Sequence, residues 1–417
     1  MQGPDRARHA NRLRWKQANC VGCGRWHDIG PDSSLCDCAK QENLSVSCDL
    51  QPATRAALLA SVEDNAQSLW RYAPLLPVDR AFGTRLGVGW TPLYDFGDYR
   101  GTRFFLKDEA RNPSGSLKDR ASEAVVAVAA AHGVTDVIVA STGNAAASLA
   151  CIGAAAGIKV TVLVPRTIPG AKLTQIMAHG ASIYRVDGSY DDAYALARTV
   201  SLAKGLYNRS TGLNPFTREG KKTCAFEIAE QLGWQAPDWV IVPTGDGNIL
   251  SGIWKGFHEL VALDLLSSMP RLVAAQSAAS DLITRRFDPE WARHANNPPH
   301  HTIADSITVA QPRDLTAALA ALSASRGTAV AVDDDEIVAA TRMMASRFGV
   351  FCEPSSAAGF AAFERLRERG VIAPQDRVVC LSTGTGLKDL RAVPAPDNLP
   401  VISPDAWQEI SIGGDRQ

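Results

Sequence analysis

Short apolar runs alternate with longer helical runs along most of the chain. The apolar runs have strand length and are rich in Val, Ile and Leu, whereas the segments between them have apolar residues at helical spacing. The pattern predicts strands at 103–109, 136–140, 159–165, 181–186, 238–243, 271–276, 330–335 and 377–381, and helices at 53–72, 121–132, 145–156, 172–179, 193–203, 225–233, 249–260 and 336–348. Such alternation is typical of parallel sheets covered by helices on both faces.

Length and composition bound the architecture. The chain has 417 residues, of which 46% are hydrophobic. That is enough for a large core but long for one compact domain, so we expect two or three domains. Residues 1–17 lack apolar periodicity and are predicted to form a mobile arm.

Charge narrows the classes of partner. The formal net charge is −1, which argues against a nucleic-acid partner. A basic arm that includes Arg6 and Arg12 opens the chain, but no apolar segment of signal-peptide or membrane-helix length follows it. We therefore expect a cytoplasmic protein with neither a nucleic-acid nor a membrane partner.

Cysteines are crowded near the N-terminus, where a Cys-x-x-Cys pair is followed by a Cys-x-Cys pair. The four candidate metal ligands are Cys20, Cys23, Cys36 and Cys38. Two tight turns can direct four thiolates at one tetrahedral ion, so residues 18–50 are predicted to form a small zinc-ribbon-like segment with structural zinc. A metal-free loop is the alternative, and Cys48 or His27 could replace one of the four ligands.

One lysine stands where a Gly/Ser-rich turn meets a helix. Lys118 follows the turn at 112–117 and precedes the helix predicted from residue 121. The positive end of a helix dipole favours the neutral amine over the ammonium. A neutral lysine in a sheltered cleft is what covalent attachment to pyridoxal phosphate requires. The alternative is a solvated lysine that begins a surface helix.

Turns rich in Gly, Ser and Thr follow three of the predicted strands. They lie at 141–144, 244–248 and 382–389. Turns between a strand and a helix direct backbone N–H groups at anions, and glycines let the backbone close round a phosphate. For the turn at 141–144 taken alone, an ordinary helix cap is the alternative, and for the turn at 244–248 a tight turn.

Four motifs occur together along the chain. They are Pro-Ser-Gly-Ser-Leu-Lys-Asp-Arg at 113–120, Ser-Thr-Gly-Asn at 141–144, Glu-Gly-x-Lys-Thr at 219–223 and Thr-Gly-x-Gly-Leu-Lys-Asp at 383–389. This ordered set resembles the threonine synthase branch of the tryptophan-synthase-like, fold type II pyridoxal phosphate enzymes. The resemblance runs from about Cys20 to Asp389.

The resemblance implies an α/β architecture in which two open parallel-sheet domains hold pyridoxal 5′-phosphate between them. The expected large domain comprises residues 51–110 with 224–392, and the small domain residues 111–223. Residues 393–417 are expected to be a C-terminal tail. The cysteine-rich segment fits this family as a small N-terminal annex.

The resemblance also implies roles for individual residues. Lys118 would carry the cofactor and act as the catalytic base. The other cofactor-binding residues would be Asn144, Gly245, Asp246, Gly247, Asn248 and Thr383, and the substrate-binding residues would be Ser116, Ser141, Thr142 and Arg218. Glu353 is a further candidate for the pocket wall, with helix capping as the alternative role.

Three features depart from the resembling family. Leu117 stands where a phenylalanine is usual, and the loop at 245–248 is compact. Thr217 stands where the family commonly has the arginine that holds the substrate phosphate, and this chain has its arginine one place later, at Arg218. If the segment is extended, neighbouring side chains point to opposite sides, which would turn Arg218 away from that position.

These observations predict a lyase that removes the α-proton of an amino acid and eliminates or replaces a β- or γ-group. The first choice is a threonine synthase-like reaction, in which O-phosphohomoserine and water give threonine and phosphate. A serine/threonine dehydratase, a diaminopropionate ammonia-lyase and a cysteate-synthase-like enzyme are alternatives on the same scaffold. A non-catalytic cofactor-binding or interaction protein is an alternative of another class. The expected partners are a small amino-acid substrate and a second copy of the chain.

Overall fold

The structure is a computed structural model. It describes residues 12–30, 32–141, 143–166, 168, 170–294, 301–394, 399, 401 and 403. Residues 1–11 of the expected arm and most of the expected tail at 393–417 lie outside this part of the chain. Among the described residues, no helix is both long enough and apolar enough to span a bilayer.

The described chain contains thirteen strands in three sheets. They are β1 (Gln17–Cys20), β2 (Trp26–Asp28), β3 (Leu44–Val46), β4 (Leu93–Tyr99), β5 (Thr102–Asp108), β6 (Asp136–Ala140), β7 (Lys159–Pro165), β8 (Ser182–Val186), β9 (Tyr207–Asn208), β10 (Trp239–Pro243), β11 (Arg271–Ser277), β12 (Thr328–Val332) and β13 (Arg377–Ser382). β1, β2 and β3 form a small antiparallel sheet near the N-terminus.

Two larger sheets form the body of the protein. One has six strands in the order β12-β11-β10-β13-β5-β4, parallel except that β4 runs antiparallel to β5. The other has four parallel strands in the order β8-β7-β6-β9. β10 is buried along its whole length, as expected for a central strand with helices on both faces. The predicted parallel α/β fold is confirmed.

Thirteen α-helices accompany these strands in the described chain. They are α1 (Pro52–Glu63), α2 (Lys118–Ala131), α3 (Asn144–Ala155), α4 (Gly170–Ala178), α5 (Tyr190–Lys204), α6 (Phe216–Lys221), α7 (Thr223–Gln231), α8 (Asn248–Ala262), α9 (Leu282–Phe287), α10 (Pro289–His294), α11 (Leu315–Ala324), α12 (Asp334–Phe348) and α13 (Pro354–Glu368). Capping boxes begin α5 and α12, and a left-handed glycine ends each of them.

Two local predictions were wrong. The helix predicted at 53–72 ends at Glu63, and a separate 3-10 helix, Leu69–Leu75, follows it and contains Pro74. The segment around Arg218 is helix α6 rather than an extended chain. Asn214 lies two residues before this helix, and its side-chain Oδ1 accepts a hydrogen bond from the N–H of Phe216, the first helical residue, at 3.0 Å.

A cluster of buried charges fixes α2 to the six-stranded sheet and to α7. Arg120 lies between Glu109 and Glu227, with N–O distances of 2.6 and 2.5 Å. Lys107 Nζ lies 2.7 Å from a Glu227 carboxylate oxygen. All four side chains are fully buried. On the same helix face, a Cβ on Gly220 of α6 would lie 1.8 Å from the carbonyl oxygen of Arg120, so only glycine permits this approach.

We predict that Arg120→Met destabilises the protein by about 3–5 kcal/mol, because it leaves Glu109 and Glu227 buried with fewer counter-charges. Arg103→Met is the matched control, since it breaks the Arg103–Asp95 pair, whose side chains are 59% and 42% exposed. That loss should be about 0–1 kcal/mol. Urea unfolding of both variants measures the difference, and equal losses would contradict the proposed importance of the buried cluster.

Candidate active site

Lys118 is the first residue of α2, and its side chain faces two adjoining cavities of about 50 and 60 Å³. The isolated bridge between Ser116 and Gly384 and the hydrogen bond from Leu117 N to Thr383 O (2.9 Å) hold the turn before it. Enclosure by protein lowers the pKa of Lys118 to about 8; Arg209 acts in the same direction and Glu353 opposes it. The amine is therefore much easier to deprotonate than a surface lysine.

The cavities bring together motifs that are far apart in sequence. Residues that line them come from the lysine turn, from the turns after β6, β10 and β13, and from the start of α13: Lys118, Ser141, Gly143, Asn144, Gly245, Asp246, Gly247, Asn248, Glu353 and Thr383. The carboxyl ends of parallel strands are the usual binding edge of α/β sheets.

Asn144 and Glu353 meet across the cleft between the two large sheets. Asn144 Nδ2 donates to Glu353 Oε1 at 2.7 Å and to Ser306 Oγ at 3.2 Å. Asn144 Oδ1 is buried and has no hydrogen-bond partner within the described chain. Glu353 precedes α13 but makes no capping bond with its side chain. Its carboxylate is directed into the cleft instead.

The loop after β10 ends at the first turn of α8. Gly247 adopts a left-handed conformation (φ = 86°), which glycine supplies without strain, and Asn248 begins the helix. The Asn248 side chain is fixed on both sides, because its Nδ2 donates to Asp314 Oδ2 at 2.9 Å and its Oδ1 accepts from Lys221 Nζ at 2.5 Å. Backbone N–H groups at such a helix start can hold a phosphate.

Hydroxyl groups lie in and around the two cavities: Thr383 and Ser141 line them, whereas Ser356 and Ser116 do not. Thr383 Oγ1 lies 3.0 Å from Ser356 Oγ, and Ser141 Oγ accepts a hydrogen bond from Gly143 N at 3.1 Å. Ser116 Oγ is buried and lacks a partner among the residues that the structure describes. The predicted substrate-binding residue Thr142 lies outside the described residues.

Arg218 does not line these cavities. Its guanidinium lies 2.6 Å from Asp314 Oδ1 and donates to Ser251 Oγ at 3.1 Å and to the carbonyl oxygen of Leu44 at 3.3 Å. It borders a separate cavity of about 360 Å³ between the N-terminal sheet and α8. The buried carboxylate of Asp314 lies 96 positions further along the chain than Arg218. Its ion pair with the guanidinium holds Arg218 outside the cavities beside Lys118. Nothing in the local sequence signals this pairing.

Buried cations near Lys118 were missed at the level of sequence. Lys172 Nζ contacts Asp305 Oδ2 at 3.0 Å and Ser306 Oγ at 2.8 Å, and its chain crosses Gly143, where a Cβ would lie 2.6 Å from Lys172 Cδ. Arg209 is fully buried, and Lys221 is 1% exposed. A lysine or arginine in a helix or loop is normally solvated, so no local pattern marks these three.

The four N-terminal cysteines converge. Their Sγ atoms all lie within 4.8 Å of one another. Cys20 and Cys38 are 3.9 Å apart at sulfur, and Cys23 and Cys36 are 3.7 Å apart. His27 Nε2 lies 3.2 Å from Cys36 Sγ, and Cys48 lies elsewhere, 3.1 Å from Lys222 Nζ.

Comparison with known proteins defines the class. Residues 84–384 match the family described as pyridoxal-phosphate dependent enzyme, and the chain belongs to that family. Within it, the chain is a threonine synthase-like lyase of fold type II. It is 36% identical to the threonine synthase of Methanocaldococcus jannaschii over 376 residues, covering 89% of this chain and 92% of the relative. It is 37% identical to the threonine synthase of Mycobacterium bovis over 350 residues, covering 79% and 94%.

The solved structure of maize serine racemase is similar in fold. The TM-score is 0.62 at 21% sequence identity, with 81% of this chain and 94% of that chain covered. At this identity the comparison shows the shared architecture only.

The residues at the site fit pyridoxal phosphate. Lys118 offers an amine with a lowered pKa, and Asn144 Oδ1 is a buried polar atom without a partner in the described chain. The loop at 245–248 presents a helix start, and the buried cation Lys221 lies beside it. Such a set suits an aromatic aldehyde that carries a phosphate.

The lowered pKa of Lys118 gives a pH prediction. In the cofactor-free protein, acylation of Lys118 by acetic anhydride should rise with pH through about 8 and then level off, because only the neutral amine reacts. Exposed lysines should still be gaining reactivity near pH 10, in line with their ordinary pKa of about 10.4. Competitive labelling read by mass spectrometry measures each lysine separately. A midpoint for Lys118 near the ordinary lysine value of about 10.4 would contradict the lowering of its pKa by burial.

Proposed function

We propose that this enzyme converts O-phosphohomoserine and water into threonine and phosphate, with pyridoxal phosphate attached to Lys118. The observation that carries the proposal is that Thr383 and Asn144 line two adjoining cavities that meet at Lys118. The threonine synthase relatives, matched over nearly their whole length, support the reaction.

The cofactor would lie between the two large sheets. Asn144 and Thr383 would contact its ring, and the Gly245–Asn248 loop would hold its phosphate. When bound, pyridoxal phosphate supplies an electron sink for the negative charge that forms at the substrate α-carbon. A neutral hydroxyl such as Thr383 facing the ring nitrogen favours a milder sink than a carboxylate would, which suits elimination of a leaving group.

Lys118 would move the protons. With a pKa of about 8, its amine has a far larger neutral fraction near neutral pH than an ordinary lysine, and this neutral amine can accept the α-proton of the substrate. The resulting ammonium would return a proton at a neighbouring carbon. Glu353 opposes the lowering of that pKa, so its carboxylate stabilises the protonated form of Lys118.

Ser116 and the turn at 141–144 would bind the substrate carboxylate. The substrate phosphate needs a cation, and Lys172 is placed for that role because Asp305 and Ser306, which it contacts, both line the cavity. Both cations are paired, Lys172 with Asp305 and Arg218 with Asp314, but neither Arg218 nor Asp314 lines the cavities, so Arg218 is not proposed for this role.

A second candidate reaction is elimination from an unphosphorylated amino acid, giving a keto acid and ammonia. One observation favours it: the position of the family's arginine is Thr217, whose hydroxyl points to Asn248 Oδ1 at 3.3 Å, and the neighbouring arginine is sequestered. The substrate-side cavity is thus poorer in arginine than the resemblance implies.

The two reactions differ in their products. We predict that the purified enzyme loaded with pyridoxal phosphate releases inorganic phosphate from O-phosphohomoserine and forms threonine. With L-serine and L-threonine it should form keto acid at least about 100-fold more slowly, as expected if binding of the phosphate is used to accelerate the reaction. Lys118→Ala is the control for background hydrolysis. Rapid keto-acid formation from serine without phosphate release from phosphohomoserine would favour the second candidate.

We also propose structural zinc at Cys20, Cys23, Cys36 and Cys38. Four thiolates at about 2.3 Å from one zinc lie about 3.8 Å from each other. The separations of 3.9 and 3.7 Å support such a site. The role would be to fix the loops that join β1, β2 and β3.

Metal analysis tests the zinc proposal. Purified protein should contain about one zinc per chain, and Cys23→Ser should lose most of it, because three thiolates bind less tightly than four. Cys151→Ser is the matched control, since Cys151 lies on α3 far from the cluster in sequence. Equal zinc content in the two variants would contradict the assignment.

The remaining expectations are proposals of the same kind. The two-domain division at 51–110 with 224–392 and at 111–223 is supported by the strands, since β4, β5 and β10–β13 share one sheet and β6–β9 share the other. A cytoplasmic location is supported by nine free cysteines within the described chain. The homodimer and the absence of nucleic-acid and membrane partners stay predictions.

A further inference from the structure

Lys221 is a buried cation that the proposed reaction does not use. It lies in α6, is 1% exposed and lines the same cavity as Lys118 and the Gly245–Asn248 loop. Its Nζ donates to Asn248 Oδ1 at 2.5 Å. Among the described residues, no carboxylate lies within salt-bridge distance of it. The neighbouring Lys222 is equally buried but is paired with Glu219 and Glu259 at 2.7 and 2.9 Å.

The surroundings of Lys221 are positive. Burial lowers its pKa well below the ordinary value, and Lys118 and Arg209 lower it further. The start of α8 adds the positive end of a helix dipole. Asp246 opposes these effects, but burial raises the pKa of that carboxyl group too. A buried ammonium without a paired anion is costly, so this arrangement is suited to a site that receives an anion from outside the chain.

The loop beside Lys221 explains why a cation is needed there. Backbone N–H groups at the start of α8 can hold a phosphate, but Asp246 places a carboxylate within the same four-residue loop. That carboxylate would repel a phosphate dianion. A lysine hydrogen-bonded to Asn248, the first residue of the helix, places a cation at the helix start that counters this repulsion.

We propose that Lys221 is the ionic anchor for the phosphate group of pyridoxal phosphate. Its ammonium pairs with a phosphate oxygen above the Gly245–Asn248 loop, while Asn248 holds the amine in place. The inference depends on the cofactor and holds for either candidate substrate.

The test compares cofactor affinity with and without the phosphate group. Lys221→Met removes the charge, and Lys221→Gln removes the charge but keeps a hydrogen-bond donor toward Asn248. Cofactor-free protein is titrated with pyridoxal phosphate and with pyridoxal, each followed by the visible absorbance of the bound form. Both variants should bind pyridoxal phosphate on the order of 10- to 100-fold more weakly than wild type, as expected for loss of a charged hydrogen bond. Affinity for pyridoxal should change less than about 3-fold, because it carries no phosphate to lose this contact.

Stability of the cofactor-free protein separates an anchor from a structural lysine. Lys221→Met should melt at the same temperature as wild type or higher, because the described residues of the cofactor-free protein offer this buried amine no anionic partner that the substitution could remove. Lys222→Met is the matched control and should melt lower, because it leaves Glu219 and Glu259 with one counter-charge fewer.

The results of these measurements distinguish a phosphate anchor from a structural lysine. Unchanged affinity of both Lys221 variants for pyridoxal phosphate would overturn the proposal, and so would equal weakening for pyridoxal phosphate and pyridoxal. A fall in the melting temperature of cofactor-free Lys221→Met, comparable to that of Lys222→Met, would assign Lys221 a structural role. None of these readouts depends on which amino acid the enzyme converts.

Discussion

The buried charges around Arg120 are the constraint on which the site depends. Arg120 lies two residues after Lys118. It pairs with Glu109, the residue that follows β5, and with Glu227 of α7. The same Glu227 pairs with Lys107 on β5 and accepts the N–H groups of Trp90 and Thr91. A fully buried ion cluster tolerates few geometries, because any shift leaves a charge unpaired. The direction of α2, and hence of the Lys118 side chain, follows from it.

Much of the fold was predictable because it depends on local patterns. Strands such as β6, β7 and β10 are continuous apolar runs, and the helices between them show periodic apolar residues, so their bounds were found within a few residues. Helix α6 was missed because its start depends on the side chain of Asn214, and six residues are too few to show a period. The break after α1 occurs where Asn65 adopts a left-handed backbone conformation (φ = 54°), which does not continue a helix.

The candidate site likewise has a part that local sequence patterns predict and a part that they do not. Lys118 and the loop at 245–248 stand in recognisable turns and meet in one cavity. The charge environment was not predictable, because it rests on partners far away in sequence, such as Asp314 for Arg218 and Asp305 for Lys172. A sequence shows which residues carry charge, but the fold decides which of those charges are neutralised. The buried charges that remain unpaired within the described chain, such as Lys221, are the ones that point to a binding site.

Asp314 gives the N-terminal annex a connection to the cofactor loop. Asn43, next to β3, donates to Asp314 Oδ1 at 2.7 Å, and Asp314 Oδ2 accepts from Asn248 and from Ser251. The Asp314 carboxylate therefore connects the N-terminal sheet, which carries the cysteine cluster, to the start of α8, where a cofactor phosphate would bind. Energetic linkage between two sites is reciprocal. Binding of the cofactor at the Gly245–Asn248 loop would therefore stabilise the packing of the annex against α8. By the same linkage, a folded annex would increase the affinity for the cofactor.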